Sequence, residues 1–195
     1  MPRSPEQFEA LRVVSRERIL TAALVMFARY GYERTTVRKI AAEAKISQGL
    51  MYNYFGNKAE LLRAVFRRGM ADVRQSLEPL SATDLSAREQ LAGIINNTFK
   101  IIKNNAEFWR LSYGLRYQPA VLAEFAAEIR GYADAIREEL TAYFAAARIH
   151  PPEIKAAILF AQIDGVAQHY LLDPESYPLG EVAEELLRQY AGPPP

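Results

Sequence analysis

The stretch from Thr35 to Leu62, TTVRKIAAEAKISQGLMYNYFGNKAELL, constrains the fold more than any other part of the chain. Thr35 and Thr36 are cap-type residues, because a threonine hydroxyl accepts from the free N–H groups of a first helical turn. Val37, Ile40, Ala41 and Ala44 then recur at the spacing of one buried helical face. The apolar pattern stops at Lys45, and Ser47 is placed to cap a second helix of about two turns. Ile46, Met51 and Phe55 point that helix inward, which leaves Gln48, Gly49, Leu50, Tyr52 and Asn53 on or near its other side. Asn57 opens a further helix, with Glu60 three residues on to complete a capping box. A short helix, a tight turn and a second short helix with a polar and aromatic outer face is the pattern of a helix-turn-helix.

The rest of the chain reads as helix in the same way. Ile19, Leu20, Ala23, Leu24 and Phe27 make the buried stripe of a first helix from about Arg16 to Tyr30, and Gly31 ends it. A fourth helix runs from about Lys58 to Leu77, followed by a break over Pro79–Asp84. Ser86 and Glu89 form a capping box for a fifth, through Leu91, Ile94, Ile95, Phe99 and Ile102. Glu107 to about Arg116 is a sixth, aromatic helix, and Gln118-Pro119 starts a seventh that runs to about Arg148. The eighth starts at Pro151-Pro152 and stops before Pro174, and the ninth spans about Gly180 to Tyr190. No strand-like alternation of useful length interrupts this, so the expected class is all-α with about nine helices.

Cysteine is absent from the 195 residues, which excludes disulfides, thiol catalysis and cysteine-ligated zinc. No apolar run reaches about 18 residues, and the N-terminus lacks a signal-peptide core, so the expectation is a cytoplasmic protein with no membrane partner. The net charge of +1 hides an asymmetry: up to Arg74 there are 14 Lys/Arg against 7 Asp/Glu, and beyond it 10 against 16. A basic head on an acidic body fits a nucleic-acid-binding module joined to a body with another task.

The tail of the helix-turn-helix, Leu50-Met51-Tyr52-Asn53-Tyr54-Phe55 followed by Asn57-Lys58 and Glu60-Leu61-Leu62, resembles the DNA-binding signature of the tetracycline-repressor (TetR) family. The resemblance covers roughly Arg16 to Phe66; beyond that, only length and helical pattern agree. It implies a DNA-binding head at 1–57, in which residues 1–12, a mix of proline, serine and charges, read as a flexible arm. A helical ligand-binding and dimerisation body at 58–195 would follow, ending in a disordered tail at 192–195. One departure stands out. The family commonly has glycine in the turn between the two short helices, and here the residue is Lys45, so a differently shaped turn is expected.

Phosphate neutralisation supplies much of the affinity for duplex DNA, and base edges in the major groove supply direct discrimination. On this basis Thr36 offers a hydroxyl and first-turn N–H groups to a phosphate, and Gln48 can pair bidentately with adenine. Gly49 lets the backbone approach the groove, and Asn53 is set for a base or a phosphate. Leu50 packs on a thymine methyl or else finishes the core, and Tyr52 offers a phenol to a phosphate. Tyr54 either does the same or packs inside the head. Lys58 adds its charge to the N-terminus of the fourth helix. The resemblance implies that Arg38 reaches a guanine, if Arg38 and Lys39 are not simply a solvated face.

The resemblance also implies a homodimer on a palindromic operator, built through the last two long helices. Ile158, Ile163, Val166, Ala167 and Tyr170 of the eighth helix and Val182 and Leu186 of the ninth are the interface candidates. In the middle of the chain Phe99, Phe108, Trp109, Tyr113, Tyr117, Phe125, Tyr132 and Phe160 form an aromatic set, with Asp164 as a polar handle. Aromatics at helical spacing are often plain core, and the resemblance adds the reading that they line a pocket for a small, largely apolar effector. His169 and Asp173 either contact that ligand or pair locally at a helix end.

Phosphate-binding glycine motifs are missing, His150 and His169 are the only histidines, and no nucleophile stands beside a recognisable base. An enzyme is therefore not expected, nor a cofactor or metal. The leading expectation is a ligand-responsive transcriptional regulator, most simply a repressor. The alternative is a DNA-associated adaptor whose helical body docks a protein partner.

Overall fold

The computed structural model describes residues 5–82 and 84–191, and the regular structure in them is entirely helical. The order is α1 (Pro5–Tyr30), α2 (Val37–Glu43), α3 (Gln48–Tyr52), α4 (Lys58–Ser76), a 3-10 turn (Glu78–Ser81), α5 (Ala87–Asn104), α6 (Ala106–Arg116), α7 (Pro119–Ala146), α8 (Pro152–Leu172) and α9 (Leu179–Ala191). The all-α class and the order of elements agree with the sequence reading. The start of the first helix does not: residues 5–12, expected as a flexible arm, are the first turns of α1. No proline or glycine follows Pro5 before Gly31, and proline is tolerated at a first helical position because its missing N–H would be unpaired there anyway. Residues 1–4 and the expected tail at 192–195 lie outside the described residues.

The chain divides into two compact units, and the division corrects the boundary expected at 57/58. One unit comprises the residues up to Gly69 together with Leu111–Glu124; the other comprises Met70–Arg110 and the residues from Phe125 onward. The first few turns of α4 belong with the head because they carry Leu61, Leu62, Val65 and Phe66, all buried. A helical face that apolar cannot be left in water, since each such side chain contributes about 1.5–3 kcal/mol on burial. Leu115 and Val121, both fully buried, mark the mid-chain segment that joins the same unit.

In the first unit Ile19, Leu20, Ala23 and Phe27 of α1 are buried together with Ile40, Ala41 and Ala44 around α2, and with Met51 and Phe55 around α3. α1 packs on α2 and α2 on α3. Thr36 caps α2, its hydroxyl accepting from the Lys39 N–H at 3.3 Å. Thr35 takes a different part from the one its type suggested. Fully buried, its hydroxyl lies 3.0 Å from the Met26 carbonyl and 2.8 Å from that of Gly31, so it satisfies the end of α1. Asn57 accepts from the Glu60 N–H at 2.8 Å, but the Glu60 carboxylate accepts from Gly56 N–H, one residue earlier than a capping box requires.

In the second unit α5 packs on the 3-10 turn, α8 and α9, and α8 packs on α9. The Ser86–Glu89 capping box forms as expected. Its hydrogen bonds from the Ser86 hydroxyl and N–H hold the Glu89 carboxyl below the usual carboxylate range. Fully buried Leu91, Phe125, Phe144, Ala156 and Leu159 form its core. Among the described residues no helix is long and apolar enough to cross a membrane.

Candidate nucleic-acid interface

α3 is only five residues long, capped by Ser47, whose hydroxyl accepts from the Leu50 N–H at 3.1 Å. Met51 is buried and fixes which way the helix faces. The opposite side carries Gln48, Gly49, Leu50, Tyr52 and Asn53, all exposed. Leu50 at 39% and Tyr52 at 48% exposure stand on the outer face, so Leu50 does not finish the core. A side chain added at Gly49 would meet nothing within 4 Å. Arg38 and Thr36 are exposed as well, while Tyr54 and Lys58 are half-buried. The side chains of Arg38, Gln48 and Asn53 hold no hydrogen bond among the described residues, which leaves their full donor and acceptor capacity for a partner. Lys39 is drawn back instead: its ammonium donates to the Arg34 carbonyl at 3.2 Å and lies 5.5 Å over the Tyr30 ring.

The turn between α2 and α3 corrects the shape expected from its lysine. Lys45 has φ 55, in the left-handed region, and the turn closes as it would around glycine. The Ile46 N–H reaches the Ala41 carbonyl at 3.0 Å and the Lys45 N–H that of Ala42 at 3.1 Å, the paired bonds of a Schellman ending. Those two bonds hold an exposed side chain in a conformation that ordinary residues disfavour. Lys45→Gly is therefore expected to stabilise the head by about 1 kcal/mol, less the extra chain entropy that glycine brings to the unfolded state. Urea unfolding followed by amide exchange over residues 37–52 would measure it, and a loss of protection there would contradict the strain. Arg148, at φ 57, ends α7 with the same pair of bonds, from Ile149 to Phe144 and from Arg148 to Ala145.

Lys58 is engaged more closely than its sequence position suggested. Its ammonium donates to the Tyr32 carbonyl at 2.9 Å and the Glu33 carbonyl at 3.3 Å, and lies 4.4 Å over the Tyr32 ring. An ammonium has three donors, so one remains. Tyr32 is itself a residue that sequence reasoning missed. It is buried, tilted against Phe27 with ring centroids 5.4 Å apart, and held by Gln118 and Glu124. Burial first, then the Glu124 carboxylate and the hydrogen bond to it, push its phenol up to about 12. Its partners lie 86 and 92 residues along the chain, and no local pattern could have found them.

The expected pocket residues divide between the units. Phe99, Trp109 and Phe125 are buried in the second unit, where Phe108, Tyr132, Phe160 and Asp164 are half-buried. Tyr113 and Tyr117 fall in the unit that holds the head. Tyr117 is 67% exposed beside the α6–α7 turn, and so lines no enclosed apolar space; Tyr113 stacks under Arg116 at 4.3 Å. A groove of about 290 Å³ does open in the second unit, lined by Asn96, Phe99, Lys100, Lys103, Asn104, Leu179, Gly180 and Ala183. Of the expected set it takes only Phe99, because the exposed face of α5 there is polar. Asp164 accepts from Gln168 at 2.9 Å along α8. The His169 ring stacks on Tyr177, and the Asp173 carboxylate accepts from the Ser176 N–H, so these two side chains each have a partner other than the other. No group of three or more His, Asp or Glu among the described residues is placed to hold a metal ion.

Two of the interface candidates are corrected: Ala167 and Leu186, at 1% and 5% exposure, are core of the single chain. α9 is strongly amphipathic and turns Leu186 inward, and Ala167 is on the packed side of α8. Ile158 is 44% exposed, and Ile163, Val166, Tyr170 and Val182 are half-buried. Ile154 and Leu172, at 56% and 82%, extend the exposed apolar surface of α8.

Residues 19–65 match the family model for bacterial regulatory proteins of the tetR family. The chain is 25% identical over 174 residues to the fatty acid metabolism regulator protein of Bacillus subtilis, covering 87% of this chain and 90% of that one. A TetR-like transcriptional regulator from Rhodococcus superposes with a TM-score of 0.76 at 24% identity, over 99% of this chain and 100% of the other. The regulator FadR from Bacillus subtilis, solved in complex with stearoyl-CoA, does so with a TM-score of 0.71 at 22% identity, over 91% and 99%. With α3 exposed on its outer side, the segment 19–65 is a helix-turn-helix of the tetR type of bacterial regulatory proteins, and over most of its length the chain is similar to DNA-binding transcriptional regulators.

Proposed function

We infer that the chain is a ligand-responsive repressor that binds a palindromic operator as a homodimer and leaves it when a small, largely apolar molecule binds. The carrying observation is the outer face of α3, where Gln48, Gly49, Leu50, Tyr52 and Asn53 are exposed. A recognition helix of five residues reads only a few base pairs, so a second copy is needed to reach useful specificity. The apolar row of Ile154, Ile158 and Leu172 on α8 supports pairing of two chains there, joined by Ile163, Val166, Tyr170 and Val182. In this reading the unit of residues 5–69 and 111–124 binds DNA, and the other unit senses the effector and dimerises. Such a protein works in the cytoplasm, where the operator is.

The Bacillus subtilis regulator solved with stearoyl-CoA supports a long-chain acyl thioester as the first effector to try. Effector binding would act by differential affinity for two conformations, only one of which matches the half-site spacing. The alternative reading, an adaptor, takes the same exposed row on α8 as a docking face for another protein.

Fluorescence anisotropy tests the choice, using duplex that the chain itself enriches from a random library, with scrambled duplex as control at about 0.15 M salt. Selective binding of two protomers per site, reversed by stearoyl-CoA or a related amphiphile, is the expected result. Equal affinity for both duplexes would remove the operator reading, and selective binding that no apolar ligand reverses would favour the adaptor. Lys58→Ala is expected to weaken binding to every sequence alike and to lower the salt slope by about 1, as loss of one phosphate contact should. An unchanged slope would take Lys58 out of the interface.

A further inference from the structure

We propose that Tyr32 is a positioning residue for DNA binding, one that holds the Lys58 ammonium ready for a phosphate and is itself held by Gln118 and Glu124. The proposal rests on the reading of the head as a DNA-binding module and names residues outside the helix-turn-helix that set its affinity.

Three features of a single turn fix the Lys58 charge. The carbonyls of Tyr32 and Glu33 accept from it at 2.9 and 3.3 Å, and the face of the Tyr32 ring lies 4.4 Å below it. A ring face attracts a cation through its quadrupole, and the carbonyls take two of the three ammonium donors. The third donor is left at the N-terminus of α4, where the helix dipole favours an anion. An unheld lysine has large rotamer freedom, and ordering it on DNA would cost affinity. A lysine already ordered in the free protein avoids most of that cost.

The platform is held in turn at both of its ends. The Tyr32 N–H donates to Gln118 Oε1 at 2.9 Å, and its phenol donates to Glu124 Oε2 at 3.2 Å. Phe27 closes one side of the ring. Gly31, at φ +79, reverses the chain immediately before it, and a Cβ added there would lie 3.7 Å from Gln118 Oε1. With its N–H and its hydroxyl both fixed, Tyr32 has little freedom to turn its carbonyl away from Lys58. Gln118 and Glu124 belong to the same compact unit as the head, although they come from the α6–α7 turn and the start of α7. That stretch is therefore part of the DNA-binding module in function as well as in packing.

Gln118→Ala tests this without opening the core, because the Gln118 side chain is only half-buried and Tyr32 itself is kept. Gln118→Glu is the conservative partner, since it keeps an acceptor oxygen for the Tyr32 N–H. The full chain is used, on duplex enriched by the wild type from a random library, with anisotropy titrations over a range of salt. Loss of one hydrogen bond predicts that Gln118→Ala weakens binding about fivefold. Gln118→Glu should restore it, and the Tyr32 amide should exchange faster in the alanine variant alone. In a Lys58→Met background the same Gln118→Ala change should alter affinity by less than about twofold, because the residue through which it acts is gone.

A fivefold loss that persists undiminished without Lys58 overturns the proposal, as does unchanged affinity alongside faster Tyr32 exchange. A wild-type chain that enriches no duplex at all overturns the DNA-binding reading, and this proposal with it. The exchange measurement needs no DNA, so the two failures look different.

Discussion

Phe27→Ala is expected to destabilise the DNA-binding head by about 3–5 kcal/mol, the largest effect of any substitution considered for this chain. Phe27 has no exposed surface, and its ring meets Tyr32 at 5.4 Å and 54°. Its carbonyl also accepts from the Gly31 N–H at 2.9 Å, so the residue stands where α1 ends and the chain turns toward α2. Truncation removes a whole aromatic side chain from a unit in which Ile19, Leu20, Ala23, Ile40 and Ala41 are also buried. Helices α2 and α3, at seven and five residues, are too short to hold their shape alone and cannot collapse onto the gap independently. A domain's net stability is only about 5–15 kcal/mol, so a loss of this size takes a large share of it. DNA binding should fall with it at physiological temperature.

The chain has two compact units, and a single melting temperature would not be a well-defined readout. Amide exchange over residues 19–66 measures the opening of the head directly. Protection there should drop by the stated amount, with Phe27→Leu losing much less because it keeps most of the volume. A change below about 1 kcal/mol for the alanine variant would mean that the head is not closed around this ring.

The helix-turn-helix was legible because its determinants are local. Ser47 capping Leu50, Thr36 capping Lys39, and the inward spacing of Ile40, Ala41, Ala44 and Met51 each involve residues a few positions apart. The family signature from Leu50 to Leu62 is equally local, and the match over residues 19–65 agrees with it. What was not legible depends on contacts distant in sequence. Tyr32 reads as an ordinary aromatic until Gln118 and Glu124 arrive from the middle of the chain. Lys58 reads as a free cation until the carbonyls of Tyr32 and Glu33 take two of its donors. Periodicity also cannot tell which apolar residues face the chain's own core and which face outward. Ala167 and Ile158 satisfy the same pattern on α8, yet one is buried and the other is 44% exposed. Lys45 shows the opposite limit: local propensity argued against a left-handed turn, and the paired bonds from Lys45 and Ile46 to Ala42 and Ala41 prevailed.

The functional counterpart to the loss of the core is Gln48→Ala, which should leave the fold intact and change what the head reads. Gln48 is the first residue of α3, exposed, and its side chain makes no hydrogen bond among the described residues. Its removal therefore breaks nothing inside the protein, and the Ser47 cap that starts the helix is untouched. A glutamine amide offers one donor and one acceptor side by side, the complement of adenine N7 and N6 in the major groove. A good bidentate pair of this kind contributes about 1–3 kcal/mol of discrimination, so the variant should lose roughly five- to more than a hundredfold of its preference at one base position. Affinity for scrambled duplex and the salt slope should stay nearly constant, because no phosphate contact is lost. Lys58→Ala should give the reverse pattern, with preference kept, affinity lowered on every duplex, and a shallower salt slope. Repeating the library selection with each variant separates the two. If Gln48→Ala weakens binding equally on all sequences and enriches the same site as the wild type, α3 does not present this side chain to a base. The exposed amide would then be a phosphate or water contact, and Asn53 at the end of α3 and Arg38 on α2, both exposed, would be left to carry the reading.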